Sequence, residues 1–167
     1  MTAGVASQLK VLLLRDPLLT LAVAESLTAG LVQARVASVS GASAYFLGGI
    51  TAYSLDQKVK QLGVRRAAAE PVNSVSPEVA AQMARGVAVR FGSDLGVATT
   101  GYAQPDPEWK VDEPFACWAI ARRRGPRSWD MRTGRVVCAG MRRTEVQACV
   151  ADAVLGELLV ELTRLRG

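Results

Sequence analysis

Leu18-Leu19-Thr20-Leu21-Ala22-Val23-Ala24-Glu25-Ser26-Leu27-Thr28-Ala29-Gly30 is the stretch on which the fold turns. The apolar run from Leu18 to Ala24 has the length of a buried strand and falls far short of a membrane span. It ends in Glu25-Ser26, and the chain continues as a helix from Thr28 to Ser38, where Ser26 or Thr28 can cap the first free N–H groups. A buried strand that passes directly into a helix opens a β-α unit and places the chain in the α/β class.

Working outward, Ser7 to Arg15 carries Leu9, Val11, Leu12, Leu13 and Leu14 and reads as a helix stopped by Pro17. Downstream, the Gly41-Ala42-Ser43 turn precedes a second strand over Gly48 to Ser54, and Leu55 to Leu62 is a short helix that Gly63 terminates. Ser76-Pro77-Glu78 opens another helix, with Ser as cap, Pro at the first position, and Val79, Met83 and Val87 on one face. Asp94 to Thr100 is a third buried strand, and the proline-rich segment from Tyr102 to Glu113 is a loop. Phe115 to Ala121 and Trp129 to Cys138 read as antiparallel strands, followed by a helix from about Arg142 to Arg164. The order αβαβααβββα predicts one domain over residues 1–167, with a mixed, partly parallel sheet covered by helices on both faces. In such sheets ligands sit beyond the carboxyl ends of the parallel strands, where Glu25-Ser26, Tyr53-Ser54 and Thr99-Thr100-Gly101 all fall.

Composition narrows the chemistry. Among 167 residues there is no histidine, so Ser-His-Asp and Cys-His catalysis and His-based zinc sites are excluded. A general base must then be Lys, Tyr, Asp, Glu or a water that they activate. Cys117, Cys138 and Cys149 fit no metal spacing, and three loose thiols predict reduced, mostly buried residues in a cytoplasm. Met1 to Lys10 lacks a basic region followed by an apolar signal core, so no secretory address and no membrane association are expected. The net charge of +5 suits a phosphate-bearing small molecule. The arginines between Arg122 and Arg142 lie in strand and turn sequence, and a solvated hairpin is preferred to a nucleic-acid patch. Asp106, Glu108, Asp112 and Glu113 are irregularly spaced in one loop and read as solvated charges, with no metal or cofactor implied.

Three segments can carry chemistry. Ala24 to Gly30 offers small hydroxyl residues at a helix start, which suit an anion, although spacing alone favours an ordinary cap with small residues for close helix packing. Thr99-Thr100-Gly101-Tyr102-Ala103-Gln104-Pro105 ends a strand and either lines a nucleotide pocket or simply turns the chain. Ser43 is followed fifteen residues later by Lys58, with Tyr53 between them. A serine and a lysine can replace Ser-His if the amine is neutral enough to accept a proton. At the reference pKa of ~10.4 only about one lysine in 2,500 is neutral at pH 7. Desolvation that brought the value to ~8 would raise that to about a tenth. The alternative is that Ser43 caps a short turn and Lys58 is exposed.

From about Leu21 to Leu162 these segments resemble, in order, the C-terminal domain of the CinA family. The matching blocks are Ala24-Glu25-Ser26-x-Thr28, Gly41-x-Ser43-Ala44-Tyr45-Phe46-x-Gly48-Gly49, Thr51-x-Tyr53-Ser54-x-x-x-Lys58 and Leu62-Gly63-Val64. Val75-Ser76-x-Glu78-Val79-Ala80 and Thr100-Gly101-x-Ala103-x-Pro105 complete them. The resemblance implies a three-layer α/β/α sandwich, commonly a homo-oligomer, that hydrolyses nicotinamide mononucleotide to nicotinic acid mononucleotide and ammonia. It needs no metal and no cofactor. It further implies Ser43 as nucleophile, Lys58 as general base with Tyr53 beside them, and Ser26, Thr28, Thr100 and Gly101 along the nucleotide pocket. The family arginine at the start of the last helix falls on Arg142 or Arg143, and Arg143 is favoured because Glu145-Val146 then comes into register. The chain departs from the family pattern at Leu27, Ala29, Gln104, Pro107-Glu108 and Pro114-Phe115-Ala116-Cys117. These losses of glycine suggest as the alternative a paralogue that binds a nucleotide or a protein without turnover.

Overall fold

The computed structural model describes residues 3–167. In chain order the elements are α1 (Ala3–Leu13), β1 (Leu21–Glu25), α2 (Leu31–Ala37), β2 (Phe46–Thr51), α3 (Leu55–Leu62), α4 (Arg66–Ala69), α5 (Pro77–Phe91), β3 (Leu95–Tyr102), β4 (Phe115–Arg123), β5 (Trp129–Val137) and α6 (Arg143–Arg166). The sheet runs β2-β1-β3-β4-β5. Strand β1 pairs in parallel with both β2 and β3, whereas β3–β4 and β4–β5 are antiparallel. The mixed sheet expected from the element order is therefore the one observed.

Helices cover both faces. On one, Leu9 and Leu13 of α1, Val32 and Val36 of α2, and Val154, Leu158 and Leu162 of α6 pack on Leu21, Val23, Val97 and Ile120. On the other, Val79, Met83 and Val87 of α5, with Leu62 and Ala69, pack on Ala22, Ala24, Ala98 and Ala119. Alternate residues of each buried strand thus serve opposite cores, as the pleat requires. The alanines on the α5 side let that helix approach closely: a Cβ added to Gly96 would lie 1.9 Å from the Ala84 carbonyl oxygen.

Local signals were good guides where the chain caps itself. Ser76 Oγ accepts the Val79 N–H at 3.1 Å with Pro77 opening α5. Gly63 closes α3 in the left-handed region at φ 66°. The short α4 and the 3-10 turns Ala42–Ala44 and Glu70–Val72 fall where the sequence has no periodicity.

Helix α2 begins three residues later than the sequence suggests, because neither Ser26 nor Thr28 caps it. The cap is Glu25. Its carboxylate, fully buried, accepts the N–H groups of Gly30 at 2.9 Å, Val32 at 3.1 Å and Gln33 at 2.9 Å. Residues 26–30 are thereby folded into a tight turn, in which Ala29 (φ 50°) and Gly30 (φ 103°) are both left-handed. The helix terminus, a natural place for an anion, is occupied by the protein's own carboxylate.

The arginines of the β4–β5 hairpin are engaged with the protein more than the sequence suggests. Arg123 lies over the Trp129 ring at 4.5 Å and Arg135 over Phe115 at 3.7 Å, while Arg124 pairs with Asp130 and Arg132 with Glu157 and Glu161. The three cysteines are free thiols, two buried and Cys149 half-buried. No helix among the described residues is long and apolar enough to cross a membrane.

If Glu25 holds the turn, Glu25→Gln should lower the unfolding free energy by about 3 kcal/mol, since charge-assisted hydrogen bonds to a buried group are lost or weakened. Urea titration measures this directly, and a loss under about 0.5 kcal/mol would show that the turn stands without the carboxylate's charge.

Candidate functional site

A pocket of about 440 Å³ opens where the parallel strands end. Its wall is built by the turn after β1 (Ser26, Leu27), the β2–α3 junction (Tyr53, Lys58), the segment before α5 (Asn73, Val75), the end of β3 with its loop (Thr100 to Pro107), and Arg143 of α6. The position agrees with the rule that ligands of open α/β sheets lie beyond the strands' carboxyl ends.

Lys58 is at the floor. It sits in the first turn of α3, which Ser54 caps by accepting the Gln57 N–H at 3.3 Å. The side chain turns inward and is only 3 % exposed. Its Nζ lies 3.0 Å from Ser26 Oγ and donates to the Tyr53 carbonyl oxygen at 2.9 Å. Burial lowers the amine from 10.5 to about 8. Ser26 is pinned from both sides: its N–H donates to Thr99 O at 3.1 Å, while the preceding carbonyl, of Glu25, accepts the Ala52 N–H at 2.8 Å. A hydroxyl and a partly deprotonated amine are thus held at hydrogen-bond distance by strand ends and by the Glu25-bound turn.

The expected pairing of Ser43 with Lys58 is not formed. Ser43 is exposed in the 3-10 turn Ala42–Ala44 before β2, whereas Lys58 follows that strand. Strand β2 lies between them, a rise of roughly 16 Å at about 3.3 Å per residue. Ser43 therefore stands at the opposite end of the sheet, beside Tyr45, whose carbonyl accepts the Leu21 N–H at the start of β1. The fifteen-residue spacing that suggested a pair measures the passage of the chain through a whole strand.

The other expected residues divide. Thr100 and Gly101 line the pocket, Thr100 Oγ1 donating to Ser74 O at 2.7 Å. A Cβ at Gly101 would lie 2.3 Å from the Phe115 carbonyl oxygen, so the β3–β4 pairing excludes any larger residue there. Thr28 is buried outside the pocket lining and shares a hydrogen bond of 2.8 Å with Thr99 Oγ1, which fastens the turn to β3. Tyr53 is half-exposed; its backbone, not its phenol, contacts Lys58. The phenol meets Arg143 Nη2 at 2.5 Å, and Arg143 Nη1 donates to Gln104 Oε1 at 3.2 Å. Arg143 thus stands at the rim, while Arg142 is turned aside onto Glu145.

Tyr102 lines the pocket within the Thr99-to-Pro105 segment expected to do so, whereas Asn73 was not expected there and Asp106, expected as a solvated charge, also lines it. Asn73 (φ 47°) and Ser74 (φ 62°) form a left-handed pair that turns the chain into the site. Asn73 Nδ2 donates to the Tyr102 hydroxyl at 3.2 Å. The signal was present in Asn73-Ser74 ahead of Ser76-Pro77, since asparagine tolerates the left-handed region better than most residues. Among the described residues no group of three or more acids and cysteines is placed to hold a metal.

A buried Ser–Lys pair in a polar pocket at the ends of parallel strands defines a histidine-free α/β domain with the parts of an acyl-transfer site. The family model of the CinA C-terminal domain matches residues 4–162, and the chain belongs to that family. It is 41 % identical over 157 residues to a CinA-like protein of Chlorobium limicola, covering 93 % of this chain and 36 % of the relative. A CinA-like protein of Chlorobaculum tepidum is 39 % identical over 156 residues, covering 92 % of this chain and 36 % of the relative. The chain therefore spans about a third of the length of these relatives. Among solved structures, a competence or damage-inducible protein from Enterobacter asburiae superposes with a TM-score of 0.86 at 25 % identity, covering 97 % of this chain and 99 % of that one. A CinA superfamily protein from Escherichia coli gives 0.84 at 27 % identity, covering 95 % and 89 %. The three-layer α/β/α arrangement is shared with these proteins.

Holding a charged amine at position 58 carries a stability cost. The folded value of about 8 lies below the 10.5 of the exposed amine, so the folded state binds fewer protons. The cost, roughly 3 kcal/mol, is full below about pH 8 and vanishes above the unfolded value. Lys58→Met should accordingly raise stability at pH 7, by about 1–2 kcal/mol once the lost hydrogen bonds are set against it. Denaturant titrations at pH 7 and pH 10 test the sign: the advantage of the variant must shrink at the higher pH.

Proposed function

We propose that the domain is an amidohydrolase that converts nicotinamide mononucleotide and water to nicotinic acid mononucleotide and ammonia. Ser26 is the nucleophile and Lys58 its general base. The observation that carries this reading is the 3.0 Å separation of the buried Lys58 Nζ and Ser26 Oγ. The resemblance to the family supplies the substrate.

In the reaction Ser26 Oγ attacks the carboxamide carbon while neutral Lys58 takes the hydroxyl proton. At a value of about 8, roughly a tenth of the amines are neutral at pH 7, against one in 2,500 for an exposed lysine. The negative charge that develops on the carbonyl oxygen is met by the backbone N–H groups following Ser26, those of Leu27 and Thr28. Ammonia departs with a proton returned by Lys58, leaving the acyl ester on Ser26. Water, deprotonated by the same amine, then hydrolyses the ester. The cationic pyridinium ring withdraws electrons from the amide and lowers the demand on the protein. Arg143, at the rim and flanked by Tyr53 and Gln104, suits the anionic phosphate end.

The test is ammonia release from nicotinamide mononucleotide. Ser26→Ala and Lys58→Ala should each lower kcat by at least about 10³-fold, whereas Ser43→Ala should leave it within about twofold. Full activity of Ser26→Ala would remove the proposed nucleophile. The pH profile gives an independent check. Because the base acts in its neutral form, kcat/KM should rise about tenfold per pH unit below about pH 8 and level off above it.

A further inference from the structure

The pocket has an ordered charge layout. Two cations line it, Lys58 at the floor and Arg143 at the rim, and Asp106 is the one carboxylate among its lining residues. Other acids close in sequence to the site are engaged elsewhere: Glu25 is wholly buried and bonded to backbone N–H groups, Asp56 pairs with Arg66, and Glu145 pairs with Arg142.

Asp106 is held rather than merely present. Its backbone N–H and carbonyl both bond to Val111, at 2.9 Å each, closing the loop into a small bridge. Pro105 and Pro107 flank it and fix the adjoining backbone. The residue is half-buried, and none of the ion pairs among the described residues involves it. Its side chain makes a single long hydrogen bond, accepting the Trp109 N–H at 3.4 Å. Arg143 is directed instead to Tyr53 and Gln104. The Tyr102 hydroxyl is pushed up chiefly by burial and in smaller part by the Asp106 charge, which places the carboxylate in the field of the pocket's aromatic wall.

We infer that Asp106 reads the charge of the substrate ring. Resting on the amidase reading above, the pocket selects a nucleotide whose heteroaromatic ring is cationic, and discriminates against the same nucleotide with a neutral ring. Three groups then divide the ligand: Arg143 takes the anionic end, Ser26 and Lys58 the amide, and Asp106, with the Tyr102 ring beside it, the positive charge between them. An acid that served only to keep the loop soluble would lie on its outer side, not in the pocket wall.

The experiment compares two ligands that share phosphate, ribose and amide and differ in ring charge: nicotinamide mononucleotide and its reduced 1,4-dihydro form. Binding is measured calorimetrically in Ser26→Ala protein, where no turnover intervenes. The expected result is a roughly tenfold preference for the cationic form. That preference should collapse to within about twofold in Ser26→Ala/Asp106→Asn and be largely kept in Ser26→Ala/Asp106→Glu. It should also weaken with added salt more than the binding of the reduced form does. Equal affinities in the parent, an unchanged ratio in the Asn variant, or no binding of either form would overturn the inference. Ammonia release by the unmodified protein is read alongside. Turnover with an unresponsive ratio leaves the amidase standing and removes the role of Asp106; a responsive ratio without turnover does the reverse.

Discussion

The site depends on where Glu25 puts its carboxylate. In the interior a carboxylate without partners is costly, and this one is fully buried at the last position of a central strand. Its oxygens are satisfied by the N–H groups that open α2, so the helix start and the strand end are drawn together, and the five residues between them have little freedom. Ser26 is the first of those five. Its N–H is tied to β3, its own carbonyl accepts the Ala29 N–H within the turn, and the preceding Glu25 carbonyl accepts the N–H of Ala52, just beyond β2. A hydroxyl on such a frame need not search for its partner. The amine of Lys58, brought in from the far side by α3, meets it buried at the floor of the pocket. Burial is what moves that amine toward neutrality, so the chemistry of position 58 follows from the packing of positions 25 to 30.

Most of the architecture was legible in the sequence because it rests on patterns with a short reach. Apolar runs between turn residues gave the strands, and the Ser76-Pro77-Glu78 and Gly63 signals gave helix ends that the structure reproduces within a residue or so. What local patterns do not encode is which strand end meets which. Ser43 and Ser26 are both small hydroxyl residues beside a β-strand; they differ in lying before one strand and after another. Since all three parallel strands point the same way, residues at or just after their carboxyl ends share the site, and a residue that precedes one does not. Lys58 follows β2 and Ser26 follows β1, whereas Ser43 precedes β2. That argument needs the parallel pairing of β1 with β2. The Glu25 cap was hidden for a related reason: an acid at a strand end looks like the start of a loop unless its carboxylate is known to fold forward.

The departures from the family pattern read differently once placed. Ala29 takes up the left-handed conformation that a glycine would adopt more easily, at a cost of about 1–2 kcal/mol, and the turn keeps its shape. Leu27, in the pocket wall, packs into a small core with Ala103, Ala116, Cys138, Val146 and Val150, and the Gln147 amide donates to its carbonyl at 2.9 Å. This substitution therefore anchors the turn to α6, the helix that also carries Arg143. Cys117, which belongs to the Pro114-Phe115-Ala116-Cys117 departure, is buried in the sheet on the α5 side. Gln104 and Pro107 both line the pocket, and Gln104 engages Arg143 directly at its rim.

The Ser26–Lys58 floor and the rim are thus separate structural problems, solved by different parts of the chain. The floor is built from strand ends, a buried carboxylate and two close helix starts, with Ala103 of the loop from Tyr102 to Glu113 packed against Leu27. The rim is assembled from that loop, from Tyr53 and from the first turn of α6, each of which is more exposed. A change in the loop alters which molecule is admitted and how its charges are matched, while leaving the hydroxyl and the amine in contact. Gln104, Pro107 and Glu108 lie in that loop, so under the proposed function they bear on selectivity and not on the Ser26–Lys58 contact. Only a substitution that loosened the turn between Glu25 and Gly30, or that let water onto the amine, would act on both at once.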